Sequence, residues 1–229
     1  MLVLVTFIAD SLHPSNWNRD ERNLYVRVVA EFLYSQGPDR QQRGDLLFGC
    51  RNQLAHEQDL GLPASIPRPS GELVATFDNN LHDAVRSEQR GREYGDVVLW
   101  GNDGFVTIEA KCNTNWKFSK DVEEVFASGA QVAASTGRSH LAHVLIVAQQ
   151  KWNHVRRPSA MRQKTSNMGR LKHYLSQQQP SKPLFVITWE QIAEAALSLP
   201  SETAGDFSAW LRLQVEICLR KVGSMPPFS

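Results

Sequence analysis

Two carboxylates and an ammonium group are spaced so that one β-hairpin would gather them: Asp96, Glu109 and Lys111. Apolar, β-branched and aromatic residues fill 97–100 and 105–108, and the Gly-Asn-Asp-Gly between them is a turn sequence. This pattern predicts two adjacent antiparallel strands. Because alternate side chains of a strand project to opposite faces, Glu109 and Lys111 share a face.

The register of this hairpin decides which charged groups meet. A turn centred between residues 102 and 103 places Asp96 opposite Glu109, whereas a turn at residues 103 and 104 places Asp96 opposite Lys111. Both registers put all three polar groups on one face of the sheet, and a one-residue slip or a bulge would separate them.

Facing carboxylates repel each other unless a positive charge lies between them. Mg²⁺, or Mn²⁺ as a substitute, binds through one or two carboxylates, waters and substrate phosphates. Such a metal lowers the pKa of a bound water and stabilises charge on a phosphoryl oxygen, and Lys111 would orient that water or neutralise the phosphate. The alternative is a solvated hairpin face with an ordinary Glu–Lys pair. Nearly continuous apolar strands favour a buried sheet interrupted by a site.

At these residues the chain resembles the PD-(D/E)xK nuclease superfamily, which has the restriction-endonuclease-like fold. The family pattern is an Asp opening one strand and (Asp/Glu)-x-Lys on the next, matched here by Asp96 and by Glu109-Ala110-Lys111. Gly95 stands where the motif name has Pro, and the resemblance is sharp only over residues 93–135. It implies metal-dependent phosphodiester hydrolysis, with Asp96, Glu109 and the Ala110 carbonyl holding one or two Mg²⁺ ions.

The resemblance also implies further site residues on the neighbouring helices. Many family members carry another Glu on the helix before the strands, and both Glu21 and Glu31 lie near the apolar stripe of the helix predicted over residues 19–35. We favour Glu21, although it is also a favourable charge at a helix N-terminus, and Glu31 is also explained as a partly exposed edge residue. Gln131 is the candidate on the helix after the strands, with an ordinary surface Gln as the alternative.

Formal charge is distributed unevenly along the chain. The whole chain has a net charge of +1, yet residues 125–189 contain no Asp or Glu and carry +9, which leaves −8 elsewhere. This asymmetry is typical of a surface that binds a polyanion, and its alternative is a solvated basic loop. The nine basic residues are Arg138, Lys151, Arg156, Arg157, Arg162, Lys164, Arg170, Lys172 and Lys182. We expect five of them to contact a nucleic-acid backbone: Lys151, Arg156, Arg157, Arg162 and Lys164.

The order of predicted elements indicates an α/β protein with a mixed central sheet flanked by helices. The resemblance implies the restriction-endonuclease-like three-layer core. Besides the hairpin, we predict strands over 1–9, 72–77, 141–148 and 184–189. We predict helices over 19–35, 46–60, 118–136, 168–176, 190–197 and 208–222. The length suits a single nuclease-type domain, 1–229, with an N-terminal elaboration of about 70 residues packed on the core.

Composition and missing motifs exclude several classes of function. With 41% hydrophobic and 21% charged residues, the chain has a globular composition. Cys50, Cys112 and Cys218 form no ligand or disulfide pattern, so we expect reduced thiols and a cytoplasmic protein. No apolar stretch of the sequence is long enough to span a bilayer, so we expect no membrane span. Phosphate-loop and dinucleotide motifs are missing from the sequence, so we expect no nucleotide cofactor. His140 and His143 are interpreted as surface or capping residues rather than metal ligands.

Three functions remain open. The leading hypothesis is a Mg²⁺-dependent DNA endonuclease, with a homodimer possible because two-fold symmetry suits the cutting of two antiparallel strands. The second is a non-catalytic nucleic-acid-binding module that retains the nuclease fold. The third is an interaction domain whose basic segment docks an acidic partner. The pattern does not choose between restriction, repair and mobile-element roles, or between DNA and RNA.

Overall fold

The described residues form a five-stranded mixed sheet with helices packed against it, and the α/β class is confirmed. The computed structural model describes residues 47–56, 61–77, 96–111, 118–149, 152–153, 167–177 and 183–197. The strands are β1 (Val74–Phe77), β2 (Val97–Trp100), β3 (Gly104–Lys111), β4 (Ser139–Val147) and β5 (Leu184–Thr188). The helices are α1 (Val125–Thr136), α2 (Asn167–Gln177) and α3 (Trp189–Leu197), with a 3₁₀ turn at Gln53–His56 and a π-helix at Ser119–Glu124.

The sheet has the spatial order β1-β2-β3-β4-β5, the same as the order in sequence. The β1–β2 and β2–β3 pairs are antiparallel, and β3, β4 and β5 run parallel. Parallel neighbours need a crossover. The π-helix and α1 supply it between β3 and β4, and α2 supplies it between β4 and β5. The predicted strands at 72–77, 141–148 and 184–189 are therefore confirmed, as are the helices at 118–136, 168–176 and 190–197.

The two faces of the central strands differ in chemistry. On one face every central residue is apolar and buried: Val97, Leu99, Val106, Ile108, Ala110, Val144, Ile146, Phe185 and Ile187. The other face carries the polar side chains of these strands: Thr107, Glu109, Lys111, His140, His143 and Thr188. Because β3 is buried along almost its whole length, these polar side chains must be satisfied inside the protein.

The polar face is the one against which the crossover helices pack. Phe118, Val122 and Phe126 from the π-helix and α1 join Leu171 of α2 in one apolar cluster with residues of β4 and β5. A second cluster joins Val132 of α1 to β2 and β3. The helices thus pack against the same sheet face that bears Glu109 and Lys111.

The helix predicted over residues 46–60 is not continuous in the part that the structure describes. Helical turns end at Gly49, Arg51 forms a β-bridge with Ser65, and a separate 3₁₀ turn follows. Asn52 is fully buried: its Oδ1 accepts the main-chain N–H of Leu54 at 3.0 Å, and its amide N–H donates to the carbonyl of Leu184 in β5 at 3.2 Å. A side chain that bonds a neighbouring strand competes with helix formation.

The predictions over 1–9, 19–35 and 208–222 lie outside the described residues. Cys50 is buried, and burial raises the pKa of its thiol to about 12, as expected for an unreactive packing residue. None of the helices in the described ranges has the length and apolar character that a bilayer span needs.

Candidate active site

The hairpin register brings the three predicted residues to one edge of the sheet. Val97 pairs with Ile108 and Trp100 with Phe105, which centres the turn between residues 102 and 103. Continuing this register by one residue puts Asp96 opposite Glu109, the first of the two alternatives. Glu109 lies near the carboxyl end of β3, and Asp96 directly precedes β2, so both belong to the edge where parallel β-strands end. Ligands of open α/β sheets bind at this edge.

Asp96 is fixed to the neighbouring strand by a hydrogen bond. The main-chain N–H of Ala110 donates to Oδ2 of Asp96 at 2.8 Å. Ala110 itself is buried, with its side chain on the apolar face. The carboxylate of Asp96 is therefore held against the Glu109-Ala110-Lys111 segment, which is where the sequence motif requires it.

Glu109 and Lys111 form a buried ion pair. The Lys111 ammonium donates to Oε1 of Glu109, and it lies 3.7 Å from Oδ1 of Asp121. Glu109 is 8% exposed and Asp121 only 3% exposed. Removing a charged group from water costs several kcal/mol per ion. Burying Glu109, Lys111 and Asp121 together between the sheet and the helices therefore costs considerable folding free energy.

The electrostatics of this cluster keep Lys111 protonated. Burial alone would lower the pKa of Lys111, but the charge and hydrogen bond of Glu109, together with the charges of Asp121 and Asp96, outweigh burial and raise it. Burial raises the pKa of Glu109, Lys111 opposes that shift, and Asp121 adds to it. The three carboxylates therefore surround a stable cation.

Asp121 is a site residue that the sequence analysis missed. It lies in the π-helix after β3, among polar neighbours that suggest an exposed turn. A signal was nevertheless present, because Asp121 is three residues after Phe118 and four before Val125, on the apolar stripe of that helix. A charged residue on a core-facing stripe needs a partner, and Lys111 is one.

A chain of hydrogen bonds ties Asp121 to the sheet. His143 of β4 is fully buried, and its Nε2 lies 2.7 Å from the main-chain carbonyl oxygen of Asp121. The carbonyl can only accept, so Nε2 carries the proton and Nδ1 accepts from the hydroxyl of Thr107 at 3.0 Å. Nε2 of His140 is 3.0 Å from the same hydroxyl oxygen and donates to it. Neither histidine is a simple surface residue, which corrects that interpretation.

Gly129 permits this arrangement by letting α1 approach His140 closely. A Cβ at position 129 would lie 2.1 Å from Nδ1 of His140, so any larger residue would displace the ring. The His140 ring also stacks on Phe105 at a centroid distance of 4.9 Å. The polar chain from β3 through β4 to the π-helix is therefore enclosed by close packing.

The buried His143 predicts a specific dependence of stability on pH. Burial lowers its pKa from 6.5 to about 4, so between these values the unfolded chain binds a proton that the folded protein rejects. The contribution of His143 to the free energy of unfolding is therefore unchanged above about pH 6.5. Between pH 6.5 and pH 4 the protonation of His143 in the unfolded chain lowers the free energy of unfolding by about 3 kcal/mol. We expect His143→Gln, measured by urea unfolding at several pH values, to show a much smaller decrease. His173→Gln, on the exposed part of α2, should retain the wild-type decrease, and an unchanged pH profile in His143→Gln would contradict this account.

The other candidate residues from the sequence are distant from the cluster or lie outside the described residues. Gln131 is exposed on α1, and no contact brings it to the cluster. The exposed Lys120 is close enough to Glu109 for its charge to lower the pKa of that carboxyl. The others lie outside the described residues: Glu21, Glu31, Lys151, Arg156, Arg157, Arg162 and Lys164.

The donor set suits a hard cation that keeps part of its own hydration. Asp96, Glu109 and the main-chain oxygen of Ala110 offer oxygen ligands, which Mg²⁺ prefers. Within the described ranges, no three Asp, Glu, His or Cys side chains are gathered closely enough to hold a metal. Mg²⁺ sites commonly use one or two protein carboxylates, with waters and substrate oxygens as the other ligands.

Family models, curated proteins and solved structures were each compared with this chain, and none of them matched it.

Proposed function

We propose that the protein is a Mg²⁺-dependent endonuclease that hydrolyses phosphodiester bonds in DNA. The observation that carries this proposal is the buried Glu109–Lys111 ion pair beside Asp96 at the carboxyl edge of the parallel strands. A Glu–Lys pair that only served solubility would lie in water, where it needs no desolvation. A buried cluster at the usual ligand-binding edge of a sheet indicates chemistry instead.

The residues of this chain divide the catalytic work between them. Asp96, Glu109 and the Ala110 carbonyl would hold the cation, which supplies Lewis-acid stabilisation of charge on the scissile phosphate. Lys111 stays protonated because of its carboxylate neighbours, so it acts as a hydrogen-bond donor. In that state it orients the attacking water or stabilises negative charge on a phosphoryl oxygen in the transition state.

We also propose that the sheet and helices form a restriction-endonuclease-like core and that the substrate is DNA. A hairpin bearing the acids, followed by a crossover helix and a parallel strand, supports the restriction-endonuclease-like core and membership of the PD-(D/E)xK superfamily. DNA is favoured as the partner because residues 125–189 lack acids and carry +9. The exposed Lys120 provides a further cation beside the cluster, where it can meet a phosphate.

The test is cleavage of supercoiled plasmid DNA by the purified protein. We expect nicking in Mg²⁺ or Mn²⁺, none in EDTA, and loss of cleavage by about 10² to 10³-fold in Lys111→Met. Arg51→Met removes an exposed cation that lies outside the acid-free segment and serves as the control. Undiminished cleavage by folded Lys111→Met would reject the assignment of this site.

The second candidate is a nucleic-acid-binding module that keeps the fold without catalysis. The acid-free segment alone favours it. It predicts DNA or RNA binding that weakens steeply with salt, without metal-dependent cleavage. The presence of Asp96, Glu109 and Lys111 together argues against it, because binding a phosphate backbone requires no carboxylates.

A further inference from the structure

Asp121 is a buried acidic residue that has no role in the catalytic mechanism proposed above. It is 3% exposed and comes from the π-helix rather than from the hairpin. Its Oδ1 lies 3.7 Å from the Lys111 ammonium, on which Glu109 also acts. A buried carboxylate has to be compensated by positive charge or donors, so Lys111 is shared between two acids from two different elements.

The backbone at Asp121 is held in place independently of its side chain. His143 donates to the main-chain carbonyl of Asp121 from the fully buried interior of the sheet, and Thr107 orients that ring. The π-helical geometry of Ser119–Glu124 is rare, and π-type turns are frequent at functional sites. The main chain at Asp121 is therefore fixed relative to β3 and β4, at a position from which the carboxylate lies 3.7 Å from the Lys111 ammonium.

Glu109 cannot serve Lys111 and a divalent cation equally well at the same time. The ammonium and the cation are both positive, so they compete for the Glu109 carboxylate and repel each other. When Glu109 turns to the cation, the ammonium loses its nearest partner. Asp121, 3.7 Å away, is placed to retain the ammonium beside the phosphate site instead of releasing it to solvent.

Resting on the proposed function, we propose that Asp121 is a positioning residue that holds Lys111 while Glu109 binds the divalent cation. Without the Asp121 charge, Lys111 would stay on Glu109 and compete with the metal. The residue is therefore expected to influence metal affinity through Lys111, in addition to any direct effect of its own charge.

The test is a double-mutant cycle read out by Mn²⁺ binding in calorimetry, without substrate. We expect Asp121→Asn to raise the dissociation constant for Mn²⁺ about tenfold. In a Lys111→Met background, where no ammonium competes, the same change should raise it only about two- to threefold. Asp121→Glu keeps the carboxylate and should restore affinity close to that of the wild type.

The controls separate this inference from a loss of structure or of site. Glu124→Gln removes the same charge from an exposed position of the same helical segment and should leave Mn²⁺ affinity unchanged. Thermal unfolding checks each variant, and Asp121→Ser replaces Asp121→Asn in the cycle if the latter does not fold. If Asp121→Asn raised the Mn²⁺ dissociation constant by the same factor with and without Lys111→Met, the positioning role of Asp121 would be overturned, while the proposed metal site would stand. No Mn²⁺ binding by the wild type, or binding unaffected by Glu109→Gln, would overturn the proposed site as well.

Discussion

Asp96→Asn is expected to lower the single-turnover rate of Mg²⁺-dependent DNA cleavage by about 10² to 10³-fold. The asparagine side chain keeps an oxygen that can accept the N–H of Ala110, the hydrogen bond that Asp96 makes in the wild type. What it loses is the negative charge opposite Glu109. The change thus removes a ligand charge with the least disturbance to the hairpin.

The same hairpin offers a matched control for this substitution. Asp103, in the exposed turn, also accepts one main-chain N–H at 2.8 Å, from Ser70, and that hydrogen bond lowers the pKa of its carboxyl. It lies roughly 20 Å from Glu109 along the strand. Asp103→Asn should cleave DNA at close to the wild-type rate. If both variants lose activity equally, the charge of Asp96 has no special role; if neither does, the site is elsewhere.

Asn52→Ala is expected to lower the free energy of unfolding by about 4 kcal/mol, an exceptionally large effect for one polar side chain. The Asn52 amide donates to Leu184 O and Pro63 O, and its oxygen accepts from the N–H groups of Leu54 and Val186 at 3.0 Å each. Truncation would leave these main-chain groups without that partner, and three of the four bonds are buried. Urea unfolding at pH 7.5 measures the loss.

The neighbouring amide provides the control for Asn52. Gln53, the first residue of the 3₁₀ turn that follows Asn52, is only half-buried, so Gln53→Ala should cost less than about 1 kcal/mol. Leu184 O and Val186 N belong to β5, the last strand in the sheet order. A loss below 1 kcal/mol in Asn52→Ala would mean that the amide does not complete this strand edge.

Structural features that depend on residues close together in the sequence were predicted correctly. The hairpin was predictable because its turn and its alternation are local, and the apolar runs of β4 and β5 are typical of buried parallel strands. Even the face shared by Glu109 and Lys111 follows from strand geometry alone. The choice between the two registers needed the pairing of Val97 with Ile108.

The sequence-based predictions failed for side chains whose hydrogen-bond partners are distant in sequence. Asn52 bonds to β5 more than 130 residues away, so its local pattern looked helical. Asp121 is placed by His143 and by a π-helical turn that ordinary helical periodicity does not predict. His143 looked like a surface residue because a lone histidine beside an apolar run gives no hint of the Thr107 hydroxyl that receives it.

The most direct test of the central claim is an anomalous difference map from crystals soaked in Mn²⁺. We expect a peak between the carboxylates of Asp96 and Glu109, at about 2.0 to 2.3 Å from its oxygen ligands, within reach of the Ala110 carbonyl. Lys111 should have moved away from Glu109. A map with no peak there at a Mn²⁺ concentration that supports cleavage, and with the Glu109–Lys111 pair intact, would contradict the account.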